Sequence, residues 1–203
     1  MQWSLVGSEM CIRDRSVGIA LAVGRAFATG ECQSFDTARY WKSAFVTSRV
    51  AGDLAGDSGV EPDEAKLAGI LHNVGLLWLA ERLPQGTDTA LQNAELAGNE
   101  SLDTRLCRWC GVGYGTATAV LLSRWAMPAE IVAAVDPRSD GGGLSDVVAA
   151  AREIASSVLL PEGSDQDIAP KLSDESEFLT LVAQHRRALD QIEQMAATIA
   201  GSH

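Results

Sequence analysis

Positive charge is scarce in this sequence: Lys and Arg number 16 against 27 Asp and Glu, a net charge of −11. A chain of that sign does not grip phosphate backbones or anionic lipid headgroups, so neither nucleic acid nor membrane is an expected partner. Aromatic residues are few as well, with five Trp, four Phe and two Tyr. With Ala and Leu abundant and no long Val/Ile/Thr alternation, this argues against sheet and for an all-α fold. Histidine is scarcer still: of three, His203 is terminal and His185 falls on a helical stripe, which leaves His72 alone for any nucleophile relay. No Gly-x-Ser-x-Gly elbow accompanies it, and a hydrolase triad is excluded. Long apolar runs are also missing. The stretch from Val17 to Val23 is followed closely by Arg25, well short of the roughly 20 apolar residues a membrane span needs. The expected location is the cytoplasm.

What is present suffices for one core. A chain of 203 residues, 46% hydrophobic and 21% charged, fits one globular domain or one domain with an appendage. Residues 1–15 stand apart, because Leu5-Val-Gly-Ser-Glu-Met-Cys-Ile-Arg-Asp-Arg15 resembles the in-frame translation of a transposon-type sequencing adapter. We expect these residues to be a non-native extension of the kind a metagenomic fragment carries. Arg13 and Arg15 are then not the basic end of a signal peptide, and the natural N-terminus is expected to be missing.

From Ser16 onward, helix-period segments alternate with Gly, Pro and Asp breaks. Val17 to Ala28 is closed by Gly30, and Asp36 is placed to cap a helix with the stripe Ala38, Trp41, Phe45, Ser48, Ala51 and Leu54/Ala55. Pro62 suits the first turn of the next helix, and the dense Leu76-Leu77-Trp78-Leu79-Ala80 run is the expected core centre. Helices are expected over Thr87 to Leu96, Ser101 to Cys110, Thr116 to Ala126 and Pro128 to Val135. Asp140-Gly-Gly-Gly143 forms a joint, Leu144 to Leu160 a further helix, and Pro161 to Leu172 a polar loop. Ser173 then caps a long last helix on which Phe178, Val182, His185, Leu189, Ile192, Ala196 and Ile199 form a three-heptad stripe. Two readings of that stripe stay open. It covers the bundle's own core, or Phe178, Val182, Leu189, Ile192 and Ile199 form a dimer contact.

Gly69-Ile-Leu-His72-Asn73-Val-Gly75 resembles the signature of the HD superfamily, in which a His-Asp pair at a helix end, followed by an apolar residue and Gly, holds a metal. Tyr40-Trp41-Lys-Ser43, Gly111-Val-Gly-Tyr114, Leu121-Leu-x-x-Trp125 and Met127-Pro128-x-Glu-Ile131 follow in the order and spacing of the HDOD domain, a degenerate HD relative found in bacterial signalling proteins. The resemblance covers about residues 16–139, and what precedes Ser16 would be the family's first third. It implies an HD-like multi-helix bundle, with residues 140–203 adding the joint and the C-terminal helices. With the first helices absent, apolar surface on Leu76 to Ala80 and on the Trp41 helix would be uncovered and promote association.

In metal-binding HD proteins the ligands are His and Asp, and the metal activates water for phosphoester hydrolysis. Against that pattern the first His falls at Ser43, or at Lys42 if the match slips by one residue, and neither is a competitive ligand. At the pair itself His72 remains, but Asn73 supplies a neutral amide where a carboxylate would offset a dication. Tyr114 stands where another His is common, and the His-His that often follows falls at Arg138-Ser139, which would place a cation in the site. Cys107-Arg-Trp-Cys110 lacks the second ligand pair of a zinc knuckle and the βαβ context of a redox pair. Gly111-Val-Gly-Tyr-Gly115 opens a helix with no strand before it and no Lys after it, so a tight turn between helices accounts for it better than a phosphate loop.

The expected function is a non-catalytic signalling module working through a protein partner or self-association, with no cofactor and no metal. The alternatives are a cryptic metal-dependent phosphohydrolase and a dimerisation relay to a catalytic domain elsewhere in the protein.

Overall fold

The computed structural model describes residues 18–56, 58–92, 100–140, 142–160 and 175–201. The expectation about residues 1–15, the polar loop from Pro161 and the Ser173 cap lie outside the described residues. Those described are helical, with no strand among them: α1 (18–26), α2 (Thr37–Ala55), α3 (Pro62–Leu71), α4 (Val74–Arg82), α5 (Pro84–Gln92), α6 (Leu102–Cys110), α7 (Tyr114–Arg124), α8 (Ala129–Val135), α9 (Leu144–Leu159), α10 (Glu175–Arg186) and α11 (Leu189–Ala200).

α2 is the axis of the bundle. Asp36 caps it by accepting from Arg39 N at 2.8 Å, as its sequence position predicts. Trp41, Phe45, Ser48, Ala51 and Ala55 of the predicted stripe are buried, while Ala38 at its start is exposed. Burial extends round to Val46, Thr47 and Val50, because α3, α9 and α11 all pack on this helix. α3 approaches unusually closely at Gly69, where an added Cβ would lie 2.7 Å from the Ser48 Cα. Ser48 Oγ also donates to Lys66 O at 2.8 Å, fastening the same pair of helices.

The expected exposure of apolar surface is not found. Trp41, Leu77, Leu79 and Ala80 are all buried, and Leu76 and Trp78 of the same run are only partly open. α4 is enclosed because it packs on α7, and a smaller core of Leu79, Ala90 and Leu106 sits beneath α4, α5 and α6.

The last element also departs from expectation. In place of one long helix, the chain turns at Arg187–Ala188 and forms α10 and α11. The break lets α10 lie along α9 while α11 lies along α2, two directions that one straight helix cannot follow. Phe178, Val182, Ile192 and Ile199 enter the same continuous core as α2 and α9, and Leu189 packs against it. The apolar side chains of this stripe are thus packed within the chain, as the first of the two readings expects. An exposed ion pair between Lys42 of α2 and Glu193 of α11 adds little to that burial.

Candidate functional site

Four positions singled out by the family resemblance meet in space. Ser43 from α2, His72 and Asn73 from the α3–α4 junction, and Tyr114 from the start of α7 all line one cavity of about 480 Å³. The one-residue ambiguity of the sequence match is resolved here, since Ser43 faces the cavity while Lys42 is engaged with Glu193.

The geometry at the His-Asn pair follows from its two glycines. Gly69 brings α3 against α2, and Gly75 brings α4 against α7, where an added Cβ would lie 2.3 Å from Tyr114 O and 2.5 Å from Thr118 N. Gly75 N donates to Thr118 Oγ1 at 2.9 Å, and that hydroxyl donates to Tyr114 O at 2.8 Å. The signature thus sets two helix contacts, and His72-Asn73 lies between them.

His72 is buried and donates Nδ1–H to Gly69 O at 2.6 Å, which leaves Nε2 as the acceptor nitrogen. Burial, with the Arg152 charge second, pushes its pKa down to about 3 against the smaller upward pull of the Gly69 bond. The ring is neutral across the physiological range. Asn73 is equally buried, and its Oδ1 has no hydrogen-bond partner among the described residues. Arg152 reaches in from α9, donating to Tyr114 Oη at 2.5 Å with its guanidinium 5.8 Å from the ring centroid.

This donor set does not fit the divalent metal of the HD superfamily. It offers one imidazole nitrogen, one neutral amide, a hydroxyl and a phenol, with a guanidinium beside them, where a catalytic site uses three good ligands and an open position. Among the described residues no group of three or more His, Cys, Asp and Glu could hold an ion.

Arg138 is not the cation in this cavity. It pairs with Asp136 through Nε and Nη2, both at 2.9 Å, and faces a separate shallow depression beside Met127 and Ser139. That pairing holds the Asp136 carboxyl below its usual range. The cation comes instead from Arg152, whose helix lies beyond the stretch that resembles the family. Arg39, Arg105 and Thr47 also line the cavity and were not marked by the motifs, and Tyr40 joins them from the Tyr40-Trp41-Lys-Ser43 motif. The one signal available for Arg39 was its position one turn before Ser43 on the same helix.

The other motifs resolve structurally. Gly111 ends α6 at φ +79, and the Asp103 carboxylate accepts from Gly115 N at 3.0 Å, filling the α7 N-terminus with the chain's own anion. Cys107 is exposed, and Cys110 lies 3.7 Å from Thr87 Oγ1. Cys32 is buried, donates to Asp88 Oδ1 at 3.3 Å and has its thiol pushed up to about 12, first by burial and then by that carboxylate.

An all-α bundle with a depleted His-Asp site between its helices defines a degenerate HD-type protein. The chain belongs to the HDOD domain family, whose model matches residues 13–140. Among solved structures, it is similar to a protein of Marinobacter aquaeolei VT8 assigned to signal transduction, at TM-score 0.71 and 23% identity over 91% of this chain and 44% of that one. It is similar to a protein of Shewanella amazonensis SB2B assigned as a phosphohydrolase, at TM-score 0.61 and 22% identity over 95% and 69%. It also resembles the MmoQ response regulator of Methylococcus capsulatus str. Bath, at TM-score 0.56 and 26% identity over 75% and 63%. The chain thus spans under half the length of the Marinobacter protein. No curated protein matches it.

Proposed function

We propose that this chain is a non-catalytic HDOD-type module of signal transduction that acts through a protein partner. The observation carrying this reading is the composition of the cavity: the HD ligand positions hold Ser43, His72, Asn73 and Tyr114, with Arg152 in the space beside His72. A cation next to the remaining imidazole opposes a dication there and leaves no means of generating metal-bound hydroxide. Likeness to a response regulator and to a protein assigned to signal transduction supports the signalling context. The dimerisation-relay alternative is not favoured, because its stripe is buried.

The competing enzyme reading is tested by turnover. Purified protein supplied with Mn²⁺, Mg²⁺ or Fe²⁺ should hydrolyse phosphomonoesters and phosphodiesters no faster than the His72→Ala variant. Metal-dependent turnover that His72→Ala abolishes would make the chain a phosphohydrolase and overturn the proposal.

A further inference from the structure

We propose that the cavity between α2, the α3–α4 junction, α7 and α9 is a binding site for a small organic oxyanion, a phosphate- or carboxylate-bearing molecule with an uncharged polar body. Its charge is the first argument. In a chain of net charge −11, this cavity is lined by Arg39, Arg105 and Arg152, with Asp36 the single acidic residue among the described residues that line it. Asp36 is itself drawn toward the α2 N-terminus by its cap bond. Arg105 is buried and its Nε and Nη1 donate to the carbonyls of Ala90 and Glu100, so its charge meets no carboxylate in those bonds. Arg152 donates to a neutral phenol. Arg39 makes no side-chain bond among the described residues and stands exposed at the cavity wall. Like charges gathered on one concavity repel, and an anion between them removes that cost and gains charge-assisted hydrogen bonds.

Uncharged groups on the cavity wall point the same way. Tyr40 Oη, Thr47 Oγ1 and Asn73 Oδ1 are all shut off from solvent and without a partner among the described residues, and all three residues line this same cavity. Leaving such a group unpaired costs the fold the desolvation that a hydrogen bond would offset. A ligand whose uncharged hydroxyl or amino groups seat against this wall lets them pair after small side-chain rotations. His72 adds a neutral acceptor in Nε2, suited to a hydroxyl or amine of the body and not to the oxyanion. At about 480 Å³ the space is in the range of small-molecule sites.

This inference rests on the reading that the cavity holds no metal, and the experiment separates the two. Binding of glucose 6-phosphate, adenosine 5′-monophosphate and citrate is measured by calorimetry on the whole chain in the presence of a chelator. Inorganic phosphate serves as the bodiless oxyanion, and glucose and adenosine as the uncharged counterparts. At least one of the three organic anions should bind with one site, more tightly than inorganic phosphate and than its own uncharged counterpart where it has one. Which of them binds distinguishes a phosphate from a carboxylate ligand. Arg39→Gln should weaken that binding by about tenfold or more, without lowering the melting temperature. Thr47→Val should weaken the organic anion but not inorganic phosphate, a split that a merely structural role would not give. Arg138→Gln, outside the cavity, should change nothing. Absence of binding by all three at millimolar concentration, or binding indifferent to Arg39→Gln, overturns the inference and leaves the lost-metal reading standing. Binding that appears only when Mn²⁺ replaces the chelator overturns both.

Discussion

His72 donates to Gly69 O and lies beside Arg152, and both burial and that charge disfavour its protonated form. Its pKa is lowered on folding, so the unfolded chain takes up a proton that the folded one refuses. The contribution of His72 to stability is complete above the unfolded value and is lost as pH falls from about 6.5 toward about 3. Replacing it with Gln should make the loss of stability across that window shallower than in the wild type, measured by urea unfolding at stepped pH. Equal slopes would show that His72 is not held neutral. The imidazole was legible in the sequence as the one member of the His-Asp pair to survive. Its cationic neighbour was not, because Arg152 sits 80 positions further on and no motif marks it. Ser43 and Lys42 could not be told apart by spacing either, since adjacent residues on a helix point about 100° apart and only packing decides which faces inward.

At the scale of elements, capping chemistry was the most readable part of the chain. Asp36 caps α2 by accepting from Arg39 N where the sequence placed it, while Ser101, expected as the first residue of its helix, instead caps α6 by accepting from Thr104 N. Gly75 belongs to this scale, because its missing side chain sets the distance between α4 and α7. Gly75→Ala should destabilise by about 1–3 kcal/mol or more, read as a lower urea midpoint, since the obstruction is backbone and cannot rotate away. An unchanged midpoint would mean that the two helices are not in this close contact.

The C-terminal helices were readable in periodicity but not in path. A stripe at heptad spacing says that one face is buried and is silent on whether the partner is the same chain or a second copy. α10 and α11 answer it by turning at Arg187–Ala188 and placing Ile192, Ala196 and Ile199 against α2. Ile192→Ala should therefore cost about 2–5 kcal/mol of stability and leave the molar mass in solution unchanged. A shift from dimer to monomer in light scattering would return the stripe to the intermolecular reading.

Over the whole molecule, α9 joins what the motifs left separate. Residues 140–203 were expected to add a joint and the C-terminal helices, and Val147, Ala151 and Ile154 of α9 are buried in the core that α2 and α3 share. The same helix carries Arg152 into the cavity. The site is thus a property of the folded bundle and is incomplete in the matched stretch alone. Among the described residues no helix is long and apolar enough to cross a membrane. Of the candidate site, Ser43, His72, Asn73 and Tyr114 were legible because a family pattern fixed their spacing. The arginines and Thr47 were not, because nothing in a linear sequence distinguishes a side chain turned into a concavity from one in solvent.

In the function proposed above, Arg152 stands beside His72 where an HD protein would hold a metal. The most direct test is calorimetric titration of Mn²⁺ into protein stripped with a chelator, beside the His72→Ala variant. The account predicts no saturable binding at the cavity and indistinguishable traces for the two proteins. One equivalent bound by the wild type and lost in His72→Ala would contradict it.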